Sequence, residues 1–282
     1  MDAGQWLEKA RAYLERRHVP EPRANAEWLL ASALQAGRSE LALRERQPLS
    51  ERQQRNFWGS VEQRARRIPL AYVLGNQPFM GLEIKVSPAA LIPRPETEGL
   101  VCEALELLKP RAEEPLTLLE LGTGTGCIAI ALARALPQAT IYATDVSQAA
   151  LRLAEQNALA HHVARRIRFV QEDLFGASGP RGWADLAISN PPYIPTAELA
   201  RLEPELLCEP RLALDGGKDG LAAIRAIVAA APGVLKPGGW LALEIGSEQG
   251  QSALGLLADA GFEERRVRKD LQGLDRVALA RR

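Results

Sequence analysis

From Leu116 onward, short apolar runs alternate with helical ones, and this alternation narrows the fold more than any other feature. The pattern predicts strands at Leu116–Leu121, Thr140–Thr144, Ile167–Gln171, Ala184–Ser189 and Trp240–Ile245. It predicts helices at Cys127–Leu136, Gln148–His161, Gly220–Leu235 and Glu248–Ala260. Strands linked by helices build a doubly wound, mostly parallel α/β sheet. The tail, Phe262–Arg268 and Arg276–Ala280, alternates in β fashion and is expected to close one edge as a hairpin. With 282 residues, 46% of them apolar, the chain can bury one large core or two smaller ones.

The first strand–helix junction reads Glu120-Leu121-Gly122-Thr123-Gly124-Thr125-Gly126. Alternate glycines let a backbone turn sharply and approach a ligand closely. A dinucleotide loop would read G-x-G-x-x-G/A. Here position 127 is Cys and the last glycine falls one residue early, which suits the loop under S-adenosylmethionine better. Asp145 closes the second strand, 19 residues after Gly126, where a carboxylate can accept from both ribose hydroxyls. Asp173-Leu174, after the third strand, reads either as the flank of an adenine or as an Asp that opens a turn.

The fourth strand stops at Asn190-Pro191-Pro192-Tyr193. Two prolines give no backbone donors and hold φ near −65°, so the strand end is rigid. Asn190 then stands at a carboxyl edge, where open α/β sheets bind ligands. The Asn190 side-chain oxygen and the Pro191 carbonyl can each accept one hydrogen of a planar NH2 group. The Tyr193 ring can stack on the flat system that bears it. Such a nitrogen is a weak nucleophile because its lone pair is delocalised. Two acceptors and a stacked ring favour its attacking geometry. Alone, Asn-Pro-Pro is also an ordinary turn; paired with an electrophile's site it becomes a methyl-transfer centre.

Residues 1–72 read as a helical bundle, 73–95 as a hairpin linker and 96–282 as the catalytic domain. Asp2 and the Ser50-x-x-Gln53 box are expected helix starts, and Pro22 opens another. Between positions 38 and 67 eight arginines face four glutamates, which reads as a solvated face or as a docking surface for an RNA-rich or acidic partner. A further helix is expected over Gly99–Leu108, with Thr97 or Glu98 near its start.

Lys+Arg and Asp+Glu both number 35, so no global field draws the chain to nucleic acid or anionic lipid. No apolar run approaches the ~20 residues of a membrane span, and the first residues do not read as a secretion signal. Three scattered cysteines fit a reducing cytoplasm, and the His161-His162 pair reads as a solvated helix end, so no metal is expected.

On these residues the sequence resembles the HemK/PrmC-type peptide chain release factor glutamine methyltransferases. The resemblance rests on Leu91–Glu98 (L-I-P-R-P-E-T-E), Glu120–Gly126, Asp145, Asn190–Tyr193, Glu209–Leu221 (E-P-R-L-A-L-D-G-G-K-D-G-L) and Lys269–Leu279. Met80 and Leu174 depart from it, standing where an aromatic is usual and where some members have Trp. The resemblance implies a Rossmann-like class I methyltransferase sheet behind a helical bundle. It implies methyl transfer from S-adenosyl-L-methionine to the glutamine amide of the Gly-Gly-Gln loop of class-1 release factors, leaving S-adenosyl-L-homocysteine. It places Gly122, Thr123, Gly124, Thr125 and Gly126 against the methionine part and Asp145 against the ribose. Asn190 and Pro191 hold the substrate amide, Tyr193 packs on it, and Arg94–Glu98 shapes the cofactor lid or a structural turn. The expected enzyme is a cytoplasmic monomer whose partner is the release factor. Two rivals use the same residues: an exocyclic-amine methyltransferase of DNA or RNA, and a non-catalytic cofactor-binding module.

Overall fold

A computed structural model describes residues 1–173 and 181–282. The chain forms two compact units, one of Met1–Asn76 with Glu203–Cys208, the other of Gln77–Leu202 with Glu209–Arg282.

The first unit holds α1 (Ala3–Arg16), α2 (Pro22–Leu34), α3 (Glu51–Ala65) and the short α4 (Leu70–Leu74). Asp2 and Ser50 each close a full capping box, with Gln5 and Gln53 reaching back, so both helix starts fall where the sequence sets them. Pro22 opens α2 at its first turn. Leu14, Leu29, Leu30, Phe57 and Val61 fill the interior. Helix α4 runs two residues past the expected end of the bundle at position 72. Much of the arginine excess is spent internally. Arg38 pairs with Glu27 and Arg44 with Glu40. Buried Arg64 donates to Asn25 Oδ1 at 2.6 Å and to Glu205 Oε1 at 2.7 Å, and Arg67 grips both Glu205 and Glu203. Burial alone would raise the Glu205 carboxyl, but the Arg67 and Arg64 hydrogen bonds outweigh it and hold the group at about 2. These pairs anchor Glu203–Cys208, a segment distant in sequence, to this unit.

The second unit opens with β1 (Asn76–Phe79) and β2 (Leu82–Lys85), joined by Met80-Gly81 with φ of 49° and 71°. Two successive positive φ values are what a tight two-residue hairpin turn demands. Then follow α5 (Pro95–Leu108), β3 (Thr117–Leu121), α6 (Cys127–Ala135), β4 (Thr140–Asp145), α7 (Gln148–Ala160), β5 (Ile167–Gln171) and β6 (Ala184–Ser189). The unit ends with α8 (Ala222–Val234), β7 (Leu235–Glu244), α9 (Gly250–Asp259), β8 (Glu263–Lys269) and β9 (Asp275–Arg281).

Among the described residues seven strands form one sheet in the order β5-β4-β3-β6-β7-β9-β8. The first five run parallel, and β9 and β8 close the edge antiparallel, as the tail's alternation predicts. Side chains alternate faces along each strand. Leu118, Leu186, Ile188 and Ala242 therefore pack with α5 and α6, while Leu119, Leu121, Ala187 and Leu243 pack with α8 and α9. The result is an α/β/α sandwich around a doubly wound sheet. Helix α5 starts at Pro95, earlier than expected, because proline suits a first helical position. Strand β7 starts at Leu235, five residues before Trp240. A register shift lets Lys236–Gly239, which the sequence leaves between the expected helix and strand, join the strand as an irregular entry.

Candidate active site

Sheet register assembles the site. Leu121 pairs with Thr144 on one side and with Ser189 on the other, and Ser189 pairs with Leu243. The next residues, Asp145, Gly122, Asn190 and Glu244, therefore form one row across the carboxyl edge of β4, β3, β6 and β7. Strands lie ~4.8 Å apart, so Asp145 and Asn190 stand on the order of 10 Å apart, astride the glycine loop. Chain order departs in opposite directions between β3 and β6, the topological switch point where such sheets bind ligands.

The glycine loop divides its tasks. Gly122, Gly124 and Gly126 all take positive φ (69°, 55° and 81°), which side-chain-bearing residues resist. Beside Gly122 there is open space, and beside Gly124 only Ala90 comes near. A side chain at Gly126 would instead meet Ala154 Cβ at 3.0 Å, so this glycine serves the packing of α6 on α7. Thr123 and Thr125 are buried. Thr123 Oγ1 donates to Glu120 Oε2 at 2.7 Å, and the Thr125 carbonyl accepts from Asn157.

Glu120 itself is wholly buried. Its Oε2 also accepts from Ala129 N at 3.1 Å, while Oε1 has no partner among the described residues. Burial above all, and the charge of Asp145, push this carboxyl up to about 8. Half-buried Asp145 accepts from Gly124 N and Ser147 N, both at 2.9 Å, one on each oxygen. Each oxygen keeps a second lone pair, so a vicinal diol can still be received. Asp173 lies exposed, two residues past the end of β5; Leu174 lies outside the described residues.

The Asn-Pro-Pro-Tyr turn is held from all sides. Asn190 Nδ2 donates to Thr97 Oγ1 at 3.0 Å, and Thr97 Oγ1 donates to Glu244 Oε2 at 2.7 Å. Tyr193 Oη donates to the other Glu244 oxygen at 3.3 Å. Burial chiefly, with the Glu244 charge, pushes the Tyr193 hydroxyl up to about 12, so it is no base at neutral pH. Glu244 is fully buried and raised to about 6, mainly by burial. Among the described residues no hydrogen bond reaches Asn190 Oδ1 or the Pro191 carbonyl, so both acceptors remain available.

Glycines seat this turn. A side chain on Gly216 would meet the Pro192 carbonyl at 2.8 Å, and one on Gly220 the Tyr193 carbonyl at 2.4 Å. Gln249 Nε2 donates to the carbonyls of both Tyr193 and Gly220. Ile194 N donates to the Leu214 carbonyl, and the Ile194 carbonyl accepts from Gly216 N. Buried Glu209 accepts from Ile92 N at 2.9 Å and from Arg94, joining Leu91–Glu98 to Glu209–Leu221. The two segments that carry much of the resemblance thus meet each other and the turn.

Glu244, Glu120 and Glu209 have no role in the expected site, and Thr97 is expected only as part of the Arg94–Glu98 lid or turn. One signal marks two of them: a single acid inside an otherwise apolar strand, T-L-L-E-L for Glu120 and W-L-A-L-E-I for Glu244. Such a residue is almost never buried without a task. Among the described residues no group of His, Cys, Asp and Glu is placed to hold a metal, and no helix is long and apolar enough to cross a membrane.

Comparison with known proteins agrees with this geometry. Residues 5–75 match the family described as PrmC N-terminal domain, and 104–217 that described as methyltransferase small domain. The release factor glutamine methyltransferase of Geobacter sulfurreducens is 43% identical over 98% of this chain and 95% of its own length. That of Moorella thermoacetica is 45% identical over 94% and 93%. A methyltransferase structure from Pyrococcus furiosus shares the fold at TM-score 0.52 and 19% identity, over 83% of this chain and 98% of that one. The hMettl16 catalytic domain, solved with an RNA hairpin, shares it at TM-score 0.55 and 17% identity, over 85% and 84%. The near-complete match to these relatives, with the Asn-Pro-Pro-Tyr turn and the glycine loop on one sheet edge, places this chain in the release factor glutamine methyltransferase family.

Proposed function

We propose that this chain transfers the methyl group of S-adenosyl-L-methionine to the side-chain amide nitrogen of the glutamine in the Gly-Gly-Gln loop of class-1 release factors. The observation that carries the reading is the pair of unused acceptors, Asn190 Oδ1 and the Pro191 carbonyl, on the same edge as the glycine loop. The residues present suit a cationic nucleoside ligand. Gly122 borders open space, Gly124 meets only Ala90, and Asp145 can receive a diol.

When bound, S-adenosyl-L-methionine supplies a methyl carbon on a sulfonium and leaves as S-adenosyl-L-homocysteine. The chain's own part is largely positioning. Asn190 Oδ1 and the Pro191 carbonyl take the two amide hydrogens. That draws the nitrogen lone pair forward and out of conjugation, a gain realised mainly in the transition state. Pro192 stiffens the turn and Tyr193 supplies its ring, with the hydroxyl turned away to Glu244. The methylated nitrogen loses its proton to solvent, so no strong base is required.

Residues 1–72 would grip the release factor away from the reacting loop, with 73–95 as the linker and 96–282 as the methyl-transfer domain. Asp173 and Leu174 would flank the adenine. The enzyme would work as a cytoplasmic monomer without direct contact to nucleic acid or membrane. Labelled methyl transfer offered in parallel to a purified class-1 release factor, to DNA and to ribosomal RNA tests the reading. Label in the protein alone is expected; label in either nucleic acid would favour the exocyclic-amine reaction.

A further inference from the structure

We propose that Thr97 and Glu244 act as positioning residues that fix which way round the Asn190 amide sits, holding its oxygen toward the substrate. This deepens the reading above and rests on the acceptor role of Asn190.

The argument is a count of hydrogens. A carboxylate accepts and cannot donate. Glu244 faces Thr97 at 2.7 Å and Tyr193 at 3.3 Å, and each of those hydroxyls has one hydrogen to give. Thr97 spends its hydrogen on Glu244 Oε2, so toward Asn190 it presents only lone pairs. Asn190 must then offer its NH2 to Thr97 at 3.0 Å, and its oxygen faces the other way. A flipped amide would set oxygen against oxygen with no hydrogen between them. An unmade bond at a buried site disfavours that form by roughly tenfold to hundredfold.

The geometry that enforces this is rigid. Ile188 and Ala242 lie on the face of the sheet covered by α5, so Asn190 and Glu244, two residues further along their strands, fall on that face too. Thr97 sits in the first turn of α5 and is 2% exposed. The groups around Glu244 are Tyr193, Thr97, Arg276, whose charge favours the carboxylate, and Glu96, whose charge opposes it. Arg276 is itself held by Asp270 at 3.2 Å. No other described polar side chain bonds the Asn190 amide, so Thr97 decides its orientation alone.

The test compares Thr97→Val, which keeps the shape and removes the hydroxyl, with Thr97→Ser, which keeps the hydroxyl. Glu244→Gln is the second route, because an amide facing Thr97 can donate to it and free the Thr97 hydrogen to turn toward Asn190. Methylation of a purified release factor is measured together with S-adenosylmethionine affinity and the Asn190 side-chain amide signals in 15N NMR spectra. Thr97→Val and Glu244→Gln are expected to lower kcat at least tenfold, with cofactor affinity within about twofold of wild type. Thr97→Ser is expected to recover most of the loss. The Asn190 amide signals should shift or broaden in the first two variants and stay in place in the third. Equal loss in Thr97→Val and Thr97→Ser, or unchanged Asn190 signals in Thr97→Val, would overturn the proposal. If Thr97→Val does not fold, Glu244→Gln decides by the same readings. The NMR readout needs no release factor, so it still judges the proposal if the assigned substrate proves wrong.

Discussion

Two loops end neighbouring strands of one sheet, and they are held in opposite ways. The loop after β3 relies on backbone freedom: its glycines adopt positive φ, two of them beside open or nearly open space, and the carboxyl beneath has one oxygen without a partner among the described residues. The turn after β6 relies on restraint: two prolines, a three-membered side-chain chain through Thr97 and Glu244, and two glycines pressed against its carbonyls. On the proposed function, the first receives a ligand's bulk, and the second presents a few acceptor atoms that must point one way. A methyl-transfer enzyme needs both, since the donor is recognised by shape and charge while the acceptor nitrogen must be aligned within fractions of an ångström.

The contrast can be broken or sharpened by substitution. The largest effect is expected at Asn190. Asn190→Ala should lower kcat by on the order of a hundredfold to a thousandfold while cofactor affinity survives, as read by single-turnover methylation and calorimetry. Next comes Gly220→Ala. A new side chain 2.4 Å from the Tyr193 carbonyl, at φ +73°, must displace the turn. We expect kcat to fall by at least tenfold and unfolding free energy to drop by about 1–3 kcal/mol in denaturant titration.

Gly122→Ala is the matched control on the other loop. Its φ of +69° strains alanine by about 1–2 kcal/mol, but nothing stands in the way. Weaker cofactor binding with kcat less affected is the expected pattern. If Gly122→Ala and Gly220→Ala change the same kinetic constant, the division of labour does not hold.

The smallest effect on turnover concerns Glu120, whose change is read in stability instead. Its folded-state value of about 8 lies above the ordinary 4.5, so the folded chain binds the proton more tightly. The stability this provides is full below about pH 4.5 and is lost as pH rises through about 8. Glu120→Gln cannot lose that proton. Its unfolding free energy should match wild type near pH 4 and exceed it increasingly between about pH 4.5 and 8, by up to about 4–5 kcal/mol near pH 9. Parallel pH profiles for the two proteins would show that Glu120 is already charged in the fold.

Much of the scaffold was legible in the sequence because its signals are local. Alternating apolar runs placed the parallel strands, capping boxes at Asp2 and Ser50 placed two helix starts, and Asn190-Pro191-Pro192 marked where β6 stops. The glycine loop and Asp145 were legible as a group because strand register carries them to one edge. Errors arose where punctuation misled. Lys236–Gly239 falls between the expected helix and strand yet enters β7, and the helix Leu70–Leu74 runs across the expected boundary between bundle and linker. What stayed hidden was long-range support. Thr97 lies 93 residues from Asn190 and 147 from Glu244, and Glu209 lies 115 from Arg94. No local pattern encodes a bond of that reach; only the lone acids in apolar strands hint that a partner exists.

The central claim is that a carboxamide is held by Asn190 and Pro191 while its nitrogen receives a methyl group. The most direct measurement is tandem mass spectrometry of a class-1 release factor after incubation with S-adenosylmethionine and either wild-type enzyme or Asn190→Ala. The account predicts one added methyl on the side-chain amide of the Gly-Gly-Gln glutamine with wild type, and none with the variant. An unmodified glutamine with the wild-type enzyme, or full methylation by the variant, would contradict it.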